Sequence, residues 1–144
     1  MNHRTSTTAA GLAVALVLLA GCGDDAPPAA AAPTAEGVGE VTVAADGVQE
    51  ITLQTQDDYV FTPDTFTVEP GTVRLTVVNV AKEMTHNLEF TDDEGPAPID
   101  GGIDFLAPQD QETIEFEVTE PGDYPFECTF HVQLDQVGTM TVRG

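Results

Sequence analysis

From residue 51 to the end of the chain, apolar side chains fall on every second position in one short run after another. Ile51-Thr52-Leu53, Phe66-Thr67-Val68 and Val73-Arg74-Leu75-Thr76-Val77 alternate in this way. So do Leu88-Glu89-Phe90, Ile114-Glu115-Phe116-Glu117-Val118, Tyr124-Pro125-Phe126-Glu127-Cys128 and Met140-Thr141-Val142. A period of two sends successive side chains to opposite faces of a strand, so each run has one face to bury and one to wet. Turns built on Pro and Gly separate the runs, at Thr62-Pro63-Asp64, Glu69-Pro70-Gly71 and Glu120-Pro121-Gly122-Asp123. No long run carries the 3.6-residue period of an amphipathic helix. The pattern predicts an all-β fold, an antiparallel Greek-key β-sandwich or barrel of about seven to eight strands. Asp92–Asp110, rich in Gly, Pro and acids, breaks the rhythm and reads as a long surface loop with room for one helical turn.

The start of the chain belongs to a different class of segment. Arg4 precedes the small, apolar stretch Ala9–Ala20, which runs into Leu19-Ala20-Gly21-Cys22. A short apolar core behind a basic start is the pattern of a secretory signal, too short for a membrane span. Leu-Ala-Gly-Cys resembles the lipobox of bacterial and archaeal lipoproteins, which implies a signal peptide over 1–21 and a lipid-modified Cys22 as the first mature residue. The alternative is ordinary cleavage near Gly21 that leaves Cys22 free. Residues 22–46 are mostly Asp, Ala, Pro, Gly and Glu, with too little large apolar surface to bury, and read as a tether. Within it Val41-Thr42-Val43 could form a strand, although its flanks argue against one. Residues 47–144 are then the folded domain, about the commonest domain size. The expected location is extracytoplasmic, with the domain held to the cell membrane through Cys22.

Charge narrows the partners. The sequence has 25 acidic residues against four Lys and Arg, a net charge of -21. Past the signal the only bases are Arg74, Lys82 and Arg143. Such an excess argues against nucleic acid and against an anionic surface bound by charge. It fits a partner with a basic docking surface, or simple solvation.

The chemistry-bearing residues are few. With His3 removed in the signal and Cys22 committed to lipid, the domain keeps His86, His131 and Cys128. Strand parity groups His86 with Leu88 and Phe90, and Cys128 with Tyr124 and Phe126, so both point inward at the ends of their apolar runs. An unpaired Cys in an exported protein needs a reason, because oxidising surroundings favour disulfides. A thiolate with two imidazoles suits copper, which must exchange one electron between a soft Cu(I) and a harder Cu(II). Zinc accepts the same donors, but its structural sites usually close with four protein ligands. Taken singly, each residue also has a plain structural reading: His86 a satisfied core histidine, Cys128 a small buried hydrophobe, His131 a loop residue.

Taken together, the residues resemble a known family, the cupredoxins, and among them the plastocyanin-like blue-copper domains. The resemblance lies in Met84-Thr85-His86-Asn87, in Gly122-Asp123-Tyr124-Pro125-Phe126-Glu127-Cys128-Thr129-Phe130-His131, and in the continuation Gly138-Thr139-Met140-Thr141-Val142. Pro70-Gly71-Thr72-Val73 fits as well, so the likeness covers about residues 48–144. It implies one copper ion held by His86, Cys128 and His131, with Asn87 bracing the two ligand loops by hydrogen bonds. The family's axial Met is replaced: its place holds Gln136, with Gly138 keeping the register. A Gln oxygen can serve as the weak axial ligand and, as a harder donor, favours Cu(II) and a lower reduction potential. The alternative is a Gln136 that faces solvent beside a three-coordinate copper. Met140 alternates with Val142 and reads as core, Met84 as an apolar rim, and Tyr124 as a corner phenol bonded to backbone.

The first reading of function is a one-electron carrier between redox proteins, expected to be a monomer; with no catalytic dyad or second metal cluster visible in the sequence, an enzyme is not expected. Phe130, Val132 and Leu134 flank His131 and form either an electron port or ordinary loop packing. Two other functions compete. A copper delivery or sequestration protein would be expected to carry Met-rich or His-rich tracts, and an acidic interaction module would make the Cys and His incidental.

Overall fold

The computed structural model describes residues 34–91 and 93–144. The segment expected to be a signal peptide, Cys22, and the expected tether up to residue 33 lie outside the described residues. Among those described, no helix is long and apolar enough to cross a membrane.

Among the described residues nine strands form: β1 (Thr42–Val43), β2 (Gln49–Thr55), β3 (Thr65–Val68), β4 (Gly71–Asn79), β5 (His86–Phe90), β6 (Gly102–Leu106), β7 (Gln111–Val118), β8 (Gly122–Glu127) and β9 (Val137–Val142). They make a four-stranded sheet in the order β1-β2-β4-β7 and a five-stranded sheet in the order β3-β9-β8-β5-β6. The alternating residues fill the core between them. Ile51, Leu53, Val73, Leu75 and Val77 come from one sheet, and Val68, Leu88, Phe126, Met140 and Val142 from the other. Each fully buried Leu or Ile contributes about 1.5–3 kcal/mol, so this single core is what holds the sheets together. Met140 is fully buried, as its parity requires.

The sandwich is all-β, but its sheets are mixed rather than antiparallel throughout. β2 pairs with β4 in parallel, and so does β3 with β9. The reason is that the turns at Pro63, Pro70 and Pro121 do not make hairpins; they pass the chain from one sheet to the other. At Glu69-Pro70 the chain leaves β3 for β4 in the opposite sheet, and the buried Gln49 side chain clamps this corner. Its Nε2 donates to the Glu69 carbonyl at 2.8 Å and its Oε1 accepts from the Glu69 amide at 2.7 Å. At Glu120-Pro121 the chain crosses back from β7 to β8, and the Tyr124 hydroxyl donates to the Glu120 carbonyl at 2.8 Å. The buried ring and bonded phenol make Tyr124 a corner residue.

Two segments depart from the expected outline. Asp92–Asp110 is not a plain loop, since it contains β6, which pairs with β5 and buries Ile103 and Leu106. Ile103-Asp104-Phe105-Leu106 lacks a clean alternation because Phe105 faces out beside the inward Leu106. Upstream, Val41-Thr42-Val43 supplies β1 against β2, and the Gly39 amide donates to the Thr52 carbonyl at 2.9 Å. Contacts with the sandwich therefore begin within the acid- and Ala-rich segment, before residue 47.

Candidate metal centre

Two neighbouring strands bring the donors to one end of the sandwich. β5 opens with His86, and the antiparallel β8 closes at Glu127, one residue before Cys128. The chain then turns through a 3-10 segment, Val132–Leu134, and Asp135 in the left-handed conformation (φ 61°) returns it to β9. Asp is one of the few side chains that tolerate this region. The turn places His131 beside Cys128 and carries Gln136 inward, fully buried. His86 and Cys128 are fully buried as well, whereas His131 is half-buried at the rim.

The ligand atoms of His86, Cys128 and His131 all lie within 4.8 Å of one another. Cys128 Sγ is 4.0 Å from His86 Nδ1 and 3.5 Å from His131 Nδ1. Gln136 Oε1 reaches the same point, 2.9 Å from His86 Nδ1 and 3.1 Å from His131 Nδ1. The outward atoms show which lone pairs are free. His86 Nε2 lies 2.9 Å from the Gln56 carbonyl oxygen, which can only accept, so Nε2 carries the proton and Nδ1 a bare lone pair. Gln136 Nε2 donates to Thr55 Oγ1 at 3.0 Å, which turns Oε1 inward. His86 Nδ1 and Gln136 Oε1 thus face each other as two acceptors with no proton between them. Such a contact is repulsive unless a cation lies among the donors, and the residues present therefore fit a metal ion. Burial, working against the nearby Gln136 and Gln56 oxygens, which favour the charged form, holds the His86 imidazole below its ordinary value of 6.5.

An outer frame holds the donors. Asn87, also buried, donates from Nδ2 to Thr129 Oγ1 and accepts from the Thr129 amide, both at 2.8 Å. It thereby ties the His86 strand to the Cys128 loop. A register shift between His86 and Leu88 lets both His86 and Asn87 turn inward, which strict alternation would forbid.

The segment before His86 is held by residues that the sequence reading did not single out. Asp57 accepts from the amides of Lys82, Glu83 and Met84 at 2.8, 3.0 and 3.1 Å. The fully buried Asn79 donates to the carbonyls of Met84, Leu106 and Ala107 and accepts from the Ala81 amide. Asn79 continues the parity of Val73, Leu75 and Val77, and Thr55 that of Ile51 and Leu53, so an inward polar residue at a strand end was the signal available. At the rim, the Tyr59 ring lies 5.2 Å from the His131 ring and Phe130 6.5 Å from it, with Leu134 exposed nearby on the same turn. Tyr59 comes from the distant segment between β2 and β3, and nothing local marked it.

A mixed-sheet sandwich with His, Cys and His converging at one end defines the blue-copper class of electron-transfer domain. The chain belongs to the cupredoxin family, since its residues 12–142 match the cupredoxin-like domain. It is 34% identical over 100 residues to plastocyanin of Lactuca sativa, covering 65% of this chain and 99% of that one. It is 32% identical over 88 residues to plastocyanin of Cucumis sativus, covering 58% of this chain and 87% of the other. Among solved structures it is similar in fold to dithionite-reduced auracyanin of the photosynthetic bacterium Roseiflexus castenholzii, with a TM-score of 0.57 and 23% identity over 72% of this chain and all of that one. The family's cofactor is a single copper ion, and the His86–Cys128–His131 group is the place in this chain that could hold it.

Proposed function

We propose that this protein is a lipid-anchored, extracytoplasmic one-electron carrier whose copper is held by His86 Nδ1, Cys128 Sγ and His131 Nδ1, with Gln136 Oε1 as the axial donor. The observation that carries the reading is the convergence of these four acceptor atoms, two of them face to face without a proton. When bound, copper supplies a Cu(II)/Cu(I) couple: one electron arrives from a reduced partner and leaves to an oxidised one, and no bond in the chain is made or broken.

The chain's own residues serve that exchange. Gln56, Asn87 and Thr129 hold the donors in one arrangement, so that little needs to move between oxidation states. Burial of His86, Cys128 and Gln136 keeps water from the metal. His131 alone reaches the rim, where Tyr59, Phe130 and Leu134 offer an apolar contact through which a partner's centre can approach. The net charge of -21 favours redox partners with a basic docking surface. The Leu-Ala-Gly-Cys motif supports the anchor at Cys22, and the tether would let a monomeric domain swing between partners.

Copper titration of the full-length protein, followed by visible absorption and electron paramagnetic resonance, tests the site. One equivalent should produce an intense thiolate-to-Cu(II) band that Cys128→Ser abolishes; a colourless protein would refute the reading. Reversible reduction without loss of metal marks a carrier, whereas transfer of copper to an acceptor marks delivery. Cys22→Ala should release the protein from the membrane fraction, and its retention there would remove the anchor.

A further inference from the structure

We infer that Thr55 is a positioning residue for the metal centre: its hydroxyl anchors the outer end of the Gln136 amide and so holds Oε1 among the donor atoms. The inference rests on the reading of Gln136 as the axial donor. Thr55 ends β2, a strand that supplies no ligand, and lies 81 residues from Gln136 in sequence. Both side chains are fully buried, and Thr55 Oγ1 is 3.0 Å from Gln136 Nε2.

An amide has two chemically opposite ends of nearly equal size. Turned one way, Gln136 presents an oxygen lone pair to the site; turned the other, it presents an NH2 group that repels a cation and cannot coordinate it. Packing hardly distinguishes the two and a hydroxyl can meet either end, so the cation selects the oxygen, and Thr55 accepts from the NH2 end that this leaves on the far side. On the side away from the site, the partner that Gln136 Nε2 has is Thr55 Oγ1. With that hydroxyl accepting from Nε2, Oε1 is directed between the Nδ1 atoms of His86 and His131, at 2.9 and 3.1 Å. Without the hydroxyl, holding the oxygen inward would leave a buried NH2 group unsatisfied, at a cost of a size that moves side chains. Strand parity explains why the residue is there, since Thr55 follows Ile51 and Leu53 on the inward face of β2.

The test compares reduction potentials and Cu(II) paramagnetic spectra of copper-loaded full-length variants. Gln136→Met should raise the potential. Thr55→Val, which keeps the shape and removes the hydroxyl, should reproduce most of that rise and alter the copper hyperfine pattern in the same direction. Thr55→Ser should restore wild-type values, and Thr55→Val added to Gln136→Met should produce no further shift. A wild-type potential in Thr55→Val beside a raised one in Gln136→Met overturns the role of Thr55 and leaves the axial reading standing. An equal shift from Thr55→Val in both backgrounds also overturns it, because the hydroxyl would then act other than through the amide. No shift in Gln136→Met removes the axial reading itself, and this inference with it. If Thr55→Val does not fold, proton NMR of the diamagnetic Cu(I) protein decides. Gln136 side-chain NH2 protons close to Thr55 support the inference, and the same protons close to the His86 ring overturn it.

Discussion

The metal centre is assembled from two segments that are held in unlike ways. The segment from Cys128 to Gln136 organises itself. Within it the His131 amide donates to the Cys128 carbonyl at 2.9 Å, Leu134 to His131 at 2.8 Å, and the Cys128 amide to the Gln136 carbonyl at 3.0 Å. One short turn thus carries three of the four converging donors. The segment before His86 has little of this. Its amides and carbonyls are met from outside, by Asp57 between β2 and β3, by Asn79 at the end of β4, and by Gln109, whose Nε2 donates to the carbonyls of Val80 and Ala81. A loop that closes on itself can be placed by its own sequence. A loop braced by distant residues takes its position only when the sandwich has formed, and its accuracy is that of the whole fold.

This difference can be attacked from either side, and the braced segment should be hurt most. Asn79→Ala removes a buried amide that meets three carbonyls and one amide. We expect a loss of about 3 kcal/mol in urea unfolding, since several buried groups lose their partner at once. Faster release of copper should accompany it, because the approach to His86 is loosened. If Asn79→Ala destabilises the protein yet leaves copper release unchanged, the His86 segment is not held in the way described.

A smaller effect is expected where the self-closing segment meets β9. A Cβ on Gly138 would overlap the Phe126 ring and the Asp64 carbonyl oxygen. Gly138→Ala should cost about 2 kcal/mol of stability by overpacking. The turn from Cys128 to Gln136 is closed by its own bonds, so the copper absorption band should keep its position. A displaced band would show that the turn depends on its surroundings as much as the other segment does.

The smallest effect concerns charge. The amide of Lys82, followed by those of Glu83 and Met84, holds the Asp57 carboxyl below its ordinary value of 3.8. A carboxyl with a lowered folded value contributes stability that is fully present above pH 3.8 and is lost as pH falls through the lower folded value. Asp57→Asn should therefore be less stable than wild type at neutral pH, and the gap should close in acid. Asp57 is exposed, so the gap should be modest. A gap independent of pH would assign the role of Asp57 to its shape and not to its charge.

The same contrast sorts what could be read in advance. Parity alone put His86, Cys128, Tyr124 and Met140 on inward faces, and all four are buried. The sheet order could not be read that way. Two inward faces look alike in sequence whether the next strand pairs in the same sheet or crosses to the other. The parallel pairs β2–β4 and β3–β9 follow from corners clamped by Gln49 and Tyr124. β6 escaped notice because Phe105 faces out where alternation would hide it.

By itself, then, the sequence determined what each strand could bury, where the chain had to turn, and which few side chains had metal chemistry to offer. Alternation and turn residues act over a few neighbours, and their physics is complete within that distance. The tertiary structure alone decided that Thr55, Gln56, Asp57 and Tyr59 would stand around the centre, that Gln136 would turn its oxygen inward, and that Asn79 would hold the segment leading to His86. These contacts join residues far apart in the chain, and a hydrogen bond depends on where two groups meet in space, which no local pattern records.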